Sequence, residues 1–409
     1  MSRLDAPAKA RATRPGWIDR LARRAILTSL SGIREGRLEL KGLAAFGREG
    51  SAASAAVEIR DHAIWRRALL GGDVGLGESY RDGHWAADDL VAVLRLAIRN
   101  MEVFDRAGGA CAWAGRWFDR RTHATRDNSP GTARRNIADH YDLGNEFYRV
   151  FLDPTLAYSC AVYGSDGESL EAAQVRKYDS VCRALRLSPD DHLLEIGTGW
   201  GGFAVHAALA TGCRVTTTTI SRRQHEFVAA RLRELGLADR ITLLADDYRD
   251  LRGTFDKVAA IEMFEAVGYR HYDAFFSTLD RLLRPGGEAF LQTITMNERR
   301  FEAYRRRPDF IQIHVFPGAE LASVRGMLAS MQRVSSLTLV HMEEIGHHYA
   351  RTLRTWRERF LARLDAVREL GFDEKFIRKW EYYLAYCEAG FLERWIGNAQ
   401  MVLRKGDRC

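Results

Sequence analysis

Leu193-Leu-Glu-Ile-Gly-Thr-Gly-Trp-Gly-Gly202 is an apolar run that breaks into glycines, and of all stretches in this 409-residue sequence it implies ligand chemistry most directly. Gly197 and Gly199 let a strand turn sharply and bring backbone close to a bound molecule. The glycines stand at 197, 199, 201 and 202, an imperfect match to the spacing that cradles a pyrophosphate, and Glu195 on the strand is acidic. After the next strand, Thr216-Thr-Thr-Thr-Ile-Ser221 offers no acid for ribose hydroxyls. Gln224, just inside the following helix, is the candidate substitute because it both donates and accepts; the plain alternative is a solvated glutamine at a helix start. Asp246-Asp-Tyr-Arg-Asp250 follows the third strand, where Asp247 and Tyr248 could hold the amino group and ring face of an adenine.

These motifs need a scaffold. Apolar strands at 192–196, 213–219, 241–245, 256–261 and 287–294 alternate with helical stretches, which predicts an α/β, Rossmann-like domain with a mostly parallel sheet. Upstream, strands at 36–41 and 55–60 and helices at 64–70 and 90–100 predict a small mixed α/β N-terminal domain over 17–118, with Gly75 to Trp85 read as a glycine-turn segment. Residues 1–16 read as disordered, 119–135 as a linker, and 136–409 as the second domain, with a lid over about 298–345 and aromatic helices from about 340. Trp17 to Leu30 repeats apolar residues at helical spacing among arginines, which fits a packed surface helix or one lying on a membrane.

Two domains are what 409 residues support. Net charge of +7 and a pI near 9.1 favour anionic partners, either nucleic acid or acidic lipid head groups. No zinc-finger or RNP-type signature favours the first of these. The six cysteines form no C-x-x-C pair, so neither a metal site nor a disulfide framework is expected, and the predicted compartment is the cytoplasm.

An acidic strand residue followed by G-x-G-x-G resembles the pattern of S-adenosylmethionine methyltransferases, whose ligand has a cationic sulfonium and no pyrophosphate. Wider blocks are similar to the cyclopropane fatty acid synthase family: His140 to Tyr148, Phe151 to Ala161, Glu195 to Gly201, Thr219 to Gln224, Asp247 to Asp250, Met263-Phe-Glu-Ala-Val-Gly268, Gln292 to Thr295, His348 to Trp356 and Tyr383 to Phe391. The resemblance implies a class I methyltransferase fold with S-adenosylmethionine near Tyr158, Ser159, Gly197, Gly199, Thr219, Ile220 and Gln224. It also implies a bicarbonate ion as base, held by Cys160 through its backbone amide, Glu265, Ile294 and Tyr349, with Gln292 beside it. Taken singly, Cys160 and Tyr349 read as packed core residues, His347 and His348 as structural histidines, and Glu262 as a rival to Glu265.

Gln292 stands where many family members carry histidine, and Thr198 where cysteine is common. Glutamine cannot carry a proton at neutral pH, so the resemblance leaves open a cyclopropane or a methylene- or methyl-branched product. The implied partners are unsaturated phospholipid acyl chains at an anionic membrane surface, a reductase if a saturated branch accumulates, and a second copy of the chain, with the enzyme peripheral to the inner face of the membrane. The rivals are a nucleic-acid methyltransferase and a lipid- or cofactor-binding relative without turnover; Glu262-Met-Phe-Glu265 replaces the Asn/Asp-Pro-Pro-Tyr type of base pocket.

Overall fold

A computed structural model describes residues 16–51, 53–103 and 143–406. Helix α1 (Trp17–Leu30), strands β1 (Arg37–Leu40), β2 (Ala44–Gly47) and β3 (Ser54–Ile59), helix α2 (Ala63–Arg81), strand β4 (Trp85–Ala87) and helix α3 (Leu90–Arg99) come first. Next are α4 (Asn145–Arg149), α5 (Leu170–Ala184), β5 (His192–Ile196), α6 (Gly202–Thr211), β6 (Arg214–Thr218), α7 (Arg222–Glu234), β7 (Ile241–Leu244), β8 (Phe255–Ile261), α8 (Tyr272–Leu282) and β9 (Leu283–Met296). The chain continues through α9 (Glu298–Arg306), α10 (Phe310–His314), α11 (Val324–Val334), β10 (Leu337–Glu344), α12 (Gly346–Ala362), α13 (Leu364–Glu369), α14 (Glu374–Leu392) and β11 (Ile396–Lys405). The expected linker, the extreme N-terminus and His140 to Asp142 of the first resembling block lie outside the described residues.

The described residues form two compact units, the first made of 16–103 with Arg306–Val315 and Leu353–Trp395. Its sheet runs β2-β1-β3-β4, with β1 parallel to β3 and the outer pairs antiparallel. The expectation of a self-contained N-terminal domain is corrected here, because α14 belongs to this unit. Trp380 and Tyr382 of α14 are buried, and an aromatic helix of this kind needs apolar partners, which α2 and α3 supply. Tyr80 donates to Glu381 at 2.6 Å, and Arg95 and Arg99 both reach Glu393. The predicted turn from Gly75 is also corrected: α2 runs on to Arg81, with its irregular backbone at Gly72, where φ is 58°. Gly77 serves close approach instead, since a Cβ there would lie 2.4 Å from Phe310 Cδ2 and 2.8 Å from Tyr382 Cε1. On α1, Ala22 and Leu30 are the buried residues, whereas Trp17 and Leu21 are 69% and 62% exposed.

The second unit, 143–305 with Phe316–Thr352 and 396–406, holds a seven-stranded sheet in the order β10-β11-β9-β8-β5-β6-β7. The five strands expected from the sequence are present and mutually parallel; β11 inserts antiparallel between β9 and β10. Alternate residues of each strand feed opposite faces, as a two-residue period demands. Leu194, Ile196, Val258 and Ala260 join Phe275 and Leu279 of α8 on one face. Leu193, Val215, Ala259 and Phe290 join Val181, Phe203 and Val228 on the other. The lid expected over about 298–345 is divided: α10 lies in the first unit, while Met327 and Met331 of α11 and Leu337 of β10 enter the core of the second. The residues from 340, expected to be helical, also include strand: β10 is an edge strand exposed along most of its length, and the buried β11 pairs between β10 and β9, far from β9 in sequence.

Gly77→Ala is expected to destabilise the first unit by about 1–3 kcal/mol through overpacking against Phe310 and Tyr382. The helix propensity of alanine alone would raise stability by up to about 1 kcal/mol, so the sign seen in chemical denaturation separates the two effects.

Candidate active site

β5 delivers the glycine turn. Gly197, Gly199 and Gly201 adopt φ of +96°, +53° and +80°, and Gly201 caps α6 in the left-handed conformation. Gly197 N and Thr198 N both donate to Thr218 O, which fixes the turn to β6. A Cβ built on Gly199 would meet no atom within 4 Å, so the protein leaves room there, and one on Gly197 would lie 3.0 Å from Met263 Cβ. Glu195 is buried beneath the turn, where its Oε2 accepts from Thr217 Oγ1 at 2.6 Å and burial pushes its pKa up to about 8. Its carboxyl therefore braces β5 against β6.

Past β6, Thr219 Oγ1 donates to Gln224 Oε1 at 2.8 Å across Ile220, and Ser221 caps α7. The structure thus brings together Thr219 and Gln224 as the sequence predicts. Asp247 and Tyr248 part company: the Asp247 carboxylate is forked by Arg249 at 2.8 and 2.7 Å, and the Tyr248 ring packs edge-on to Phe275 in the core. Tyr158 sits among Tyr148, Phe151 and Phe316. Ser159 Oγ accepts from Lys177 Nζ at 2.6 Å, and its carbonyl accepts from Gln174. Lys177 and Gln174 were not foreseen, although both are polar residues on the buried face of α5, and burial brings the Lys177 pKa down to about 8.

Beside the turn lie two carboxylates with different surroundings. β8 ends at Ile261, and Glu262 follows at φ +50°, a left-handed backbone that a residue with a Cβ rarely adopts. Its amide donates to Gln292 O at 2.7 Å. The side-chain Oε1 accepts from Cys160 N at 3.0 Å, Gln292 Nε2 at 2.8 Å and Asn398 Nδ2 at 2.7 Å, while Oε2 accepts from the Tyr349 hydroxyl at 2.7 Å. Four converging donors suit an ionised carboxylate, because its oxygens only accept. The left-handed backbone costs about 1–2 kcal/mol, and each charge-assisted bond contributes about 1.5–3 kcal/mol, so the donors outweigh the strain.

Glu265 lies in the 3₁₀ turn Phe264–Ala266. Its Oε1 accepts from Ile294 N at 2.5 Å and Thr293 Oγ1 at 3.1 Å, and its buried Oε2 has no hydrogen-bond partner among the described residues. Burial first, and the neighbouring Glu262 charge second, raise its pKa well above the usual carboxylate range and so favour the protonated acid. Gln292 is locked between partners, its Oε1 accepting from Gln400 Nε2 at 2.9 Å. Asn398 and Gln400 escaped sequence reasoning; they share one face of β11 two residues apart and lie opposite Ile294 and Gln292 of β9. The Cys160 thiol is raised well above its ordinary pKa by burial, which disfavours the thiolate, and His348, lowered to about 4 by burial, accepts from Tyr163 N.

The sheet order and the glycine turn at the end of β5 are those of a class I S-adenosylmethionine-dependent methyltransferase. The sequence profile described as mycolic acid cyclopropane synthetase matches residues 128–401, and the chain belongs to this cyclopropane synthase family. It is 38% identical to the tuberculostearic acid methyltransferase of Mycobacterium tuberculosis, over 84% of this chain and 82% of that protein. It is 34% identical to the cyclopropane-fatty-acyl-phospholipid synthase of Escherichia coli, over 90% and 92%. Among solved structures, a mycolic acid cyclopropane synthase complexed with S-adenosylhomocysteine superposes with a TM-score of 0.62 at 29% identity, covering 66% of this chain and 98% of that one. A coclaurine N-methyltransferase at 20% identity and a TM-score of 0.64 shares the fold.

Gly199→Val is expected to abolish S-adenosylmethionine binding in a folded protein, because the branched side chain is strained at φ +53° and projects into the space left open at the turn. Titration calorimetry, with circular dichroism to confirm folding, checks it; wild-type affinity in a folded variant refutes it.

Proposed function

We propose that this enzyme transfers the methyl carbon of S-adenosylmethionine to the cis double bond of an unsaturated acyl chain in a membrane phospholipid. The observation that carries this reading is the carboxylate of Glu262, fixed by four donors next to Met263, the residue that abuts the methyl-donor turn. When bound, the cofactor supplies an electrophilic methyl group. An alkene needs no deprotonation before it attacks, but afterwards it is a carbocation, and a fixed negative charge in a partly enclosed site stabilises it and receives its proton. The relatives from Escherichia coli and Mycobacterium tuberculosis, a cyclopropane-fatty-acyl-phospholipid synthase and a tuberculostearic acid methyltransferase, support an acyl substrate. The bicarbonate implied by the family resemblance fits poorly: Cys160 N, Gln292 and the Tyr349 hydroxyl are committed to Glu262, and Ile294 N to Glu265.

Access to lipid falls to the surface of the first unit. No helix among the described residues is long and apolar enough to cross a membrane. Exposed Trp17, Ile18 and Leu21 stand on α1 beside Arg20, Arg23 and Arg24, a composition that inserts apolar side chains at an interface while its cations meet anionic head groups.

Methyl-labelled S-adenosylmethionine with vesicles of unsaturated phospholipid should put label into lipid, and vesicles of the hydrogenated lipid should take up none. Label in added nucleic acid but not in lipid would refute the reading. Mass spectrometry of the product separates a cyclopropane from a methylene branch, and a saturated methyl branch in cells would require a separate reductase. Sedimentation with anionic vesicles should weaken as salt shortens the Debye length from about 10 Å at 0.1 M to about 3 Å at 1 M. Salt-independent pelleting would assign the attraction to apolar insertion alone.

A further inference from the structure

We infer that Glu262 is the catalytic base, a carboxylate built into the chain at the seat where the family resemblance places a bicarbonate ion. The assignment rests on the lipid-methylation reading above and on four hydrogen bonds. The backbone amide of Cys160 and the hydroxyl of Tyr349, both expected to hold the ion, donate instead to the Glu262 carboxylate, and Gln292 joins them. Asn398 from β11 adds a fourth donor that the resemblance did not include. A carboxylate and a bicarbonate present the same pair of oxygens sharing one negative charge, so one set of donors serves either, and the two cannot occupy it together.

The backbone explains how a side chain reaches that seat. At φ +50°, immediately after Ile261, the chain turns out of the β8 direction and sends Glu262 toward donors from β9, β11, α12 and the Cys160 segment. Such a conformation is held against its own preference, which is common where function dictates geometry. The two oxygens differ in occupancy. Oε1 takes three donors, and Oε2 takes one, the Tyr349 hydroxyl, leaving lone-pair capacity for an incoming proton.

The step balances without another reactant. The alkene electron pair forms the new bond to the methyl carbon as the carbon–sulfur pair departs with sulfur. A C–H bond of the added methyl then breaks: its pair closes the ring onto the neighbouring cationic carbon, or, if a hydride first shifts so that the charge moves to the methyl-bearing carbon, the same pair forms the branch double bond. The proton passes to Glu262 Oε2, and from the neutral acid to water after the product leaves. Gln292 fits this arrangement because it donates to Glu262 without competing for the proton, which a histidine would do.

Two variants and one anion test the inference. Glu262→Gln keeps the shape and removes the charge, and should lower turnover by roughly a hundredfold or more with cofactor affinity unchanged. Glu262→Gly suits the left-handed backbone and empties the seat; it should be inactive in bicarbonate-depleted buffer and regain at least about tenfold when bicarbonate or formate is added. Wild type should turn over equally with and without bicarbonate, and should leave the carbon-13 resonance of labelled bicarbonate unbroadened, whereas Glu262→Gly in the presence of S-adenosylhomocysteine should broaden it. A wild type that requires or binds bicarbonate, or a Glu262→Gln enzyme of full activity, overturns the inference. Should wild type put no label into lipid, the substrate reading falls, and the resonance comparison decides the seat alone: binding by the glycine variant only upholds it, and binding by both overturns it.

Discussion

One carboxylate, accepting from four donors on four separate stretches of chain, is the constraint around which the second unit is organised. Cys160 N comes from the loop before α5, Gln292 from β9, Tyr349 from α12 and Asn398 from β11. None of these donors would find its acceptor if the sheet order or register changed. The antiparallel register that sets Gln400 opposite Gln292, and Asn398 opposite Ile294, decides which amides face Glu262. A slip of one residue would turn both to the other face of the sheet. Hydrogen bonding in the site and strand pairing in the core are thus a single problem, solved once.

The neighbouring acid shows how environment divides labour between like groups. Glu262 is surrounded by donors, and Glu265 has two on one oxygen and none on the other among the described residues. Burial, and then the adjacent Glu262 charge, raise the Glu265 pKa, so of the two acids Glu265 holds a proton the more readily. Lys177, buried on the far side of Ser159, adds a positive contribution that both Glu195 and Glu262 feel. The methyl-donor turn therefore lies in a field set by several fixed charges, which the isolated motif does not reveal.

The glycine turn and the five parallel strands were legible because each depends on local sequence, through turn residues and period; Gln224 was singled out by its place at a helix start, and Thr219 by the family resemblance alone. Cys160, Glu265, Ile294 and Tyr349 were legible together only through the family resemblance, with Gln292 beside them, and Cys160, Gln292 and Tyr349 share one carboxylate acceptor. That acceptor was not legible, since Glu262 and Glu265 are three residues apart and only the break after β8 sends them to different partners. Asn398 and Gln400 escaped because pairing partners more than a hundred residues away give no local signal. For the same reason α14 read as part of the second domain, when its aromatic residues are buried in the first unit. Asp247 and Tyr248 have side-chain partners that their types alone did not announce, the adjacent Arg249 and the core Phe275.

The sequence separation within the cage carries a consequence for biogenesis. Asn398 is made 136 residues after Glu262, and Gln400 108 residues after Gln292. Contacts of such long range form late, after the loops between them have closed. During synthesis the glycine turn, β5 and β8 emerge well before β11, so a nascent chain has a cofactor-shaped turn without a finished acid. The turn is thus complete before the Glu262 carboxylate has gathered all its donors, which happens only once β11 threads between β9 and β10.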